Sequence, residues 1–177
     1  MWRFLLILAC IGILADVSAL IGSARQGLRP TSSSLMARLP LIAGNWKMNT
    51  DLASAVALAK EVVELTKSVD PNKVEIMLAP PFPFLYEVSK IIKDSPQKIQ
   101  LGAQNCFYET SGAFTGATSA SMIKSVGCSY SLVGHSERRK IFKEQDGDIN
   151  HSTSAVGCLL KTFFRDRTSR CEPTPRP

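Results

Sequence analysis

The chain has 177 residues, of which 45% are hydrophobic and 20% charged, with a formal net charge of +6. This is ordinary globular composition and predicts one domain of moderate size. The positive charge lies mostly at the two ends, and no nucleic-acid motif or aromatic-interleaved basic patch is present, so we expect no nucleic-acid partner.

The N-terminal segment is typical of a targeting leader. A positive start at residues 2–3, an apolar run over 4–14 and small residues at 17–19 predict a signal peptide over residues 1–19. The run is too short to span a bilayer comfortably, and a buried helix or short membrane anchor is the alternative. Residues 20–40 hold arginine and serine but no acid, as in a transit peptide. The pair is similar to the bipartite leader of plastid proteins, with secretion or a cytoplasmic location as alternatives, and we expect no membrane association of the mature form.

Past residue 40, short apolar runs alternate with amphipathic segments. The predicted elements, in chain order, are a strand over 41–45, a helix over 51–68 capped by Thr50 or Asp51, a strand over 74–79, a helix over 84–93, a strand over 99–103, a loop over 104–118, a helix over 119–126 and a strand over 129–133. This rhythm predicts α/β architecture, with βα units and a parallel sheet of four strands. Residues 157–160 are a weak candidate for a fifth strand.

The cysteines fit no metal template. None forms a CxxC pair, and the spacings match no zinc site, so we expect no metal. Cys106 and Cys128 are expected to be small buried thiols. A secreted protein that pairs Cys106, Cys128, Cys158 and Cys171 in disulfides is the alternative. Asn150 begins a glycosylation sequon, a triplet that is common by chance.

Polar residues follow two of the predicted strands. Asn45 and Lys47 leave the end of the first strand, and His135 leaves the end of the fourth. The C-termini of parallel strands share one edge, so these side chains can converge there. A lysine can hold an anion, and a histidine at a helix start is favoured in its neutral form. Each residue alone is more often a solvated charge or a cap, but together they fit proton abstraction next to a carbonyl.

Four stretches carry a family resemblance: AGNWKMN at 43–49, LAPPFPFL at 78–85, LGAQNCFYETSGAFTG at 101–116 and LVGHSERRKIF at 132–142. In order and spacing they strongly resemble the triose-phosphate isomerases, over residues 41–149. The resemblance implies the TIM (β/α)8 barrel fold, with only about four βα units present, the first half of the barrel.

The resemblance also implies a function and roles. It implies an aldose–ketose isomerase that interconverts dihydroxyacetone phosphate and D-glyceraldehyde 3-phosphate, in glycolysis, gluconeogenesis and carbon fixation, without cofactor or metal. Asn45 and Lys47 would bind the phosphorylated triose, with Lys47 also stabilising the transition state. His135 would polarise the carbonyl, and Glu137 would assist. The loop around Thr115 and Gly116 would insert into a second subunit and make a homodimer.

The chain also departs from the family pattern. Ala117 stands where the family has an acid that pairs with an arginine of the partner, so Arg138 is expected to lose that ion pair. Residues 150–177 diverge and are expected to be a disordered tail. No residue matches the general-base glutamate, the lid or the phosphate loops, which makes a non-catalytic truncated form or interaction fragment the alternative. A sheet opened from a barrel is expected to have a bare inner face and to aggregate or pair half to half.

Overall fold

The computed structural model of the protein describes residues 39–157 and 159–163, which lie in one compact unit, Arg38–Pro177. The predicted leader lies outside the described residues, apart from residues 39 and 40. Cys158, Cys171 and the last part of the predicted tail, residues 164–177, lie outside them as well. No helix in the described part of the chain is long and apolar enough to cross a membrane.

The sheet has five parallel strands in the order of the sequence, β1-β2-β3-β4-β5. They are β1 Leu41–Asn45, β2 Glu75–Ala79, β3 Gln100–Ala103, β4 Tyr130–Leu132 and β5 Lys161–Phe163. The helices are α1 Leu52–Leu65, α2 Leu85–Ile92, α3 Ala120–Ser125, α4 Ser136–Ile141 and α5 Asp146–Gly157, and a 3-10 turn at Phe82–Phe84 precedes α2. The sheet is curled, so the α/β half barrel expected from the resemblance is confirmed, with one strand more than the four predicted.

Helix α1 begins where the sequence predicts. The Asp51 carboxylate accepts from the backbone N–H of Ser54 at 2.8 Å, and the Ser54 hydroxyl accepts from the backbone N–H of Asp51 at 2.9 Å. This reciprocal capping box satisfies two backbone donors that a helix start otherwise leaves unpaired. Asp51 rather than Thr50 is therefore the cap.

The larger core lies on the outer face of the sheet. Strand β2 directs Ile76 and Leu78 to this face, where they pack among the buried side chains of the helices. Alternate residues of a strand point to opposite faces, so Glu75, Met77 and Ala79 face inward. Ala55 and Ala59 of α1 are fully buried, which allows this helix to approach the sheet closely.

The inner face of the sheet is filled rather than bare, and the expectation of a bare face is wrong. Met77, Ala79, Tyr130 and Leu132 form a second buried cluster, with Leu41 and Ala43 packed against it. Met77 fits because β3 has a glycine beside it: a Cβ atom on Gly102 would lie 2.5 Å from the Met77 Sδ. The curl of the sheet and the large Met77 and Tyr130 side chains account for the burial.

Residues 150–163 correct the predicted disordered tail. Helix α5 continues through Gly157, because Ile149, Ser152 and Val156 recur at helical spacing and are buried. Strand β5 then pairs with β4 over residues 161–163, directly after the end of the weak candidate segment at residue 160. The expected count of four strands is therefore wrong by one.

Candidate active site

Four of the predicted site residues come together at the edge formed by the C-terminal ends of the strands. Asn45 ends β1, and Lys47 follows two residues later. His135 and Glu137 lie at the start of α4, directly after β4. The Lys47 Nζ donates to Glu137 Oε1 at 2.6 Å and so joins two segments 90 residues apart in sequence. The convergence expected of parallel strands is therefore present.

The backbone at Lys47 is in a conformation that residues other than glycine rarely adopt. Its φ is +55°, in the left-handed region. The Lys47 backbone N–H donates to the Asn45 Oδ1 at 2.9 Å, which makes Asn45 a support of this turn. Such strain costs on the order of 1–3 kcal/mol and persists only where the surroundings hold it.

Gln104 holds the same turn from the neighbouring strand end, and sequence reasoning missed it. Its Nε2 donates to the carbonyl oxygens of Lys47 and Ala79, each at 2.8 Å. It follows β3 directly and thus ties together the ends of β1, β2 and β3. A polar side chain directly after a strand was the signal that could have identified it.

His135 caps α4 with its imidazole. The Nδ1 accepts from the backbone N–H of Glu137 at 3.2 Å. Accepting this bond requires an unprotonated Nδ1, so a neutral His135 carries its proton on Nε2. In this tautomer the N–H donor of the ring is at Nε2.

Glu137 is the acid of the site. The hydrogen bond from Lys47 holds the pKa of the Glu137 carboxyl below its usual value of 4.5, and the positive charge of Lys47 acts in the same direction. The side chains of Lys47 and Glu137 are 54% and 44% exposed, so a ligand can reach both. The group thus offers an ammonium for an anion, an imidazole for a carbonyl oxygen and an ionised carboxylate.

Arg138 has an ion-pair partner inside the chain. Its Nε donates to Glu144 Oε1 at 2.6 Å, and its guanidinium lies 4.7 Å from the ring centroid of Phe142. Lys143 adopts φ +61°, which turns the chain back toward α4. Arg138 therefore has a carboxylate partner within the chain. The loss of its ion pair with a second subunit stays a prediction.

The predicted dimer loop follows β3 and begins with Gln104, which contacts the turn at Lys47. Thr115 and Gly116 are exposed in the loop over 104–118, which α3 follows. The ring of Phe107 lies 4.9 Å from that of Phe114 and orders the loop, and its backbone N–H donates to the Thr118 carbonyl oxygen at 2.9 Å. Gly112 has φ +142°, and a Cβ there would lie 2.7 Å from the Phe114 ring, so this position requires glycine.

The buried thiols are as predicted. Cys106 and Cys128 are free and buried, and burial raises the pKa of Cys106 to about 11 and that of Cys128 to about 12. Neither thiol is in a disulfide in this structure. Pairing with Cys158 or Cys171, which lie outside the described residues, stays an alternative prediction. Asn150 of the sequon lies within α5, and its Oδ1 is buried. No group of three potential metal ligands occurs in residues 39–157 and 159–163.

Comparison with known proteins decides the family. The family described as triosephosphate isomerase matches residues 40–159. The chain belongs to the triosephosphate isomerase family. Similar relatives are the triosephosphate isomerases of Endomicrobium trichonymphae, 50% identical over 67% of this chain and 46% of the relative, and of Caldanaerobacter subterraneus, 47% identical over 70% and 48%. That of Synechococcus sp. is 47% identical over 69% of this chain and 50% of the relative.

The chain spans about half the length of the curated relatives that it matches. The family match extends ten residues beyond Ile149, where sequence reasoning placed the end of the resemblance. This agrees with the structure, in which α5 continues to Gly157. The triosephosphate isomerase pattern therefore covers almost all of the described residues.

Proposed function

We propose that this protein acts as a triose-phosphate isomerase, which interconverts dihydroxyacetone phosphate and D-glyceraldehyde 3-phosphate. The observation that carries the proposal is the hydrogen-bonded group of Lys47, Glu137 and His135 at the C-terminal edge of a parallel sheet. Active sites of (β/α)8 enzymes are built at that edge. The substrate is an anion with a carbonyl group, and the site offers one donor for each.

Lys47 binds the anionic triose in this proposal, and Asn45 supports its turn. The Lys47 ammonium is bonded to Glu137, so an anionic ligand either displaces that carboxylate or shares the ammonium with it. The exposed position of both side chains allows this exchange. Binding of the phosphorylated triose is therefore expected to change the environment of the Glu137 carboxyl.

His135 polarises the carbonyl through its Nε2–H. As a carbon-bound proton leaves the position next to the carbonyl, negative charge develops on the carbonyl oxygen, and a donor placed there stabilises it. One such donor contributes about 3–4 kcal/mol to lowering the barrier. We assign none of the described residues as the base that removes the proton.

The test is the carbonyl stretching frequency of bound dihydroxyacetone phosphate labelled with carbon-13 at the carbonyl. We expect the full chain to lower this frequency and the His135→Gln variant to leave it near the value in water. Lys47→Met should weaken binding instead, and His151→Gln, a change at an exposed histidine on α5, should do neither. An unshifted frequency in the wild-type complex, or absence of binding, would refute the proposal.

We further infer a homodimer formed through the loop over 104–118. The exposed Phe114, Thr115 and Gly116 at its tip support this interface. Sedimentation velocity should give a dimer for the wild type and a monomer for Thr115→Arg, which places a charged side chain in the interface. A monomeric wild type would contradict the inference.

The proposed location is the plastid, reached through a signal peptide over residues 1–19 and a transit segment over 20–40. The support is compositional: an apolar run followed by an acid-free segment with arginine and serine. A fluorescent protein fused after residue 40 should enter the plastid. Accumulation in the secretory pathway or the cytoplasm would favour one of the two alternatives.

A further inference from the structure

Two ion pairs join strands that are not neighbours in the sheet. At the C-terminal ends, Lys47 after β1 binds Glu137 after β4 at 2.6 Å. At the N-terminal ends, Glu75 of β2 binds Lys161 of β5 at 3.2 Å. Each pair connects a strand with the strand three positions further along the sheet, so each reaches across the inner, concave face of the sheet.

The second pair is part of a cluster of three residues, each of which is the first residue of its strand. Lys161 Nζ donates to Glu75 Oε1 and to the hydroxyl oxygen of Tyr130, both at 3.2 Å. The same ammonium lies 5.1 Å from the ring centroid of Tyr130, which is only 4% exposed. The Tyr130 hydroxyl thus lies beside the Lys161 ammonium, and its ring packs within the buried inner cluster.

This contact depends on the curl of the sheet. Three strand spacings amount to about 14 Å in a flat sheet, and side chains stand roughly perpendicular to the sheet plane. An approach of 3.2 Å between Glu75 and Lys161 therefore requires the sheet to fold inward. Among the described residues, backbone pairing links β5 only to β4, so the Lys161 side chain provides the link to β2.

We propose that Lys161 is a positioning residue for the candidate active site. By binding Glu75 and Tyr130, it fixes the curl of the sheet and thereby keeps Lys47 within hydrogen-bonding distance of Glu137 at the opposite end. The inference concerns the site of the proposed function, but its test measures an ionisation rather than binding or turnover. Either proposal can therefore fail without the other.

The pKa of Glu137 measures the geometry of the candidate site when Lys161, at the opposite end of the sheet, is changed. Lys47 and His135 are the charged or titratable groups that shift the ionisation of its carboxyl, and the hydrogen bond from Lys47 is the largest cause of its lowered pKa. Lys161 and Glu75 are not among these causes. A change at Lys161 therefore reaches the Glu137 carboxyl through the geometry of the sheet.

The experiment is an NMR titration of the side-chain carboxyl carbon of Glu137 in the full chain, with thermal unfolding measured in parallel. We expect Lys161→Met to raise the pKa of Glu137 to its usual range, and Lys161→Arg, which keeps the charge, to leave it low. Lys90→Met, which breaks the exposed Lys90–Glu87 pair on α2, should leave it unchanged. An unchanged Glu137 titration in folded Lys161→Met, with or without a lower melting temperature, would overturn the proposal.

A milder variant decides the matter if Lys161→Met does not fold. Tyr130→Phe keeps the buried ring and removes only the hydroxyl that Lys161 bonds. We expect a smaller rise in the Glu137 pKa for this variant. A folded Tyr130→Phe protein with a wild-type Glu137 titration would count against a positioning role for the cluster.

Discussion

The two ends of the concave face carry the same kind of contact in different surroundings. At the C-terminal end, both partners of the Lys47–Glu137 pair are about half exposed. At the N-terminal end, the two acceptors of Lys161 are covered, because Tyr130 is buried and the Glu75 side chain is only 22% exposed, while the Lys161 side chain itself is 65% exposed. Both partners of the Lys47–Glu137 pair are thus open to a ligand, whereas at the other end only the lysine is. We therefore assign recognition to the pair at one end and a role in the architecture of the sheet to the cluster at the other.

The two ends also respond to opposite changes in pH. Lys47 lowers the pKa of Glu137 below 4.5, so its stabilisation is complete above pH 4.5 and is lost as the pH falls through the pKa of the folded state. The hydrogen bonds that Lys161 donates to Tyr130 and Glu75 raise the pKa of Lys161 above 10.5. That stabilisation is complete below pH 10.5 and is lost as the pH rises through the folded-state value. Acid thus weakens the candidate site, and alkali weakens the cluster beneath it.

The largest effect on stability is expected from a larger side chain at Gly102, on the inner face between the two ends of the sheet. Gly102→Val places side-chain atoms where the Met77 Sδ lies, because even a Cβ there would be 2.5 Å away. Overpacking a buried position costs about 1–3 kcal/mol, and the free energy of unfolding in urea should fall by that amount. Adding Met77→Ala in the double variant should recover part of the loss, because the two positions share one space.

Gly147→Ala is the matched control for this variant. Gly147 lies in α5, and a Cβ atom there would meet nothing within 4 Å. The control should be neutral or slightly stabilising, since alanine favours a helix. A Gly102→Val protein as stable as the wild type would show that the inner face is loosely packed and that the two ends are not joined through it.

Most of the fold could be predicted from local pattern. Helix α1 and strand β2 follow from apolar periodicity, and the cap at Asp51 follows from its side-chain chemistry. Strand β5 could not be predicted, because Lys161 and Thr162 are polar and only three residues pair. Its first residue, Lys161, binds Glu75, which lies 86 residues away in sequence.

The residues of the candidate site also divide into those that local pattern predicts and those that it does not. Asn45, Lys47 and His135 could be predicted because each follows a strand end and parallel strands end at one edge. Gln104 could not be assigned, because its role depends on two carbonyl groups from other strand ends. Local pattern thus gives the residues that face a ligand, and the folded structure gives those that hold them.

A smaller effect on stability is expected from Gln104→Leu, which changes contacts only at the C-terminal ends of the strands. The variant removes the donor to the carbonyl oxygens of Lys47 and Ala79. The Ala79 carbonyl oxygen keeps its bond from the Trp46 backbone N–H at 3.1 Å, and the bond to the Lys47 carbonyl is exposed. We therefore expect a loss of about 0.5–1.5 kcal/mol, the net contribution of one hydrogen bond. Hydrogen exchange should become faster at the Lys47 amide and stay unchanged at the Tyr130 amide.

Gln100→Leu is the matched control for Gln104→Leu. Gln100 is the same residue type and begins β3, the strand that Gln104 follows, and its Nε2 donates to the carbonyl oxygen of Lys98 at the opposite edge. This variant should leave exchange at the Lys47 amide unchanged. Equal protection of Lys47 in Gln104→Leu and in the wild type would show that Gln104 does not hold the turn.

The smallest effect on stability, and the sharpest test of the exposed end, is expected from Lys47→Met. The side chain keeps most of its apolar length and loses the ammonium that lowers the pKa of Glu137, so this pKa should return toward 4.5. An exposed pair contributes little to stability. The informative measurement is therefore the stability of the wild type and the variant across pH 2–7, about the range in which carboxyl groups titrate. The difference should be constant above pH 4.5 and should shrink below it, as protonation of Glu137 removes the interaction from the wild type as well. A difference that does not depend on pH would mean that the Lys47 side chain acts through its packing and not through the carboxylate of Glu137.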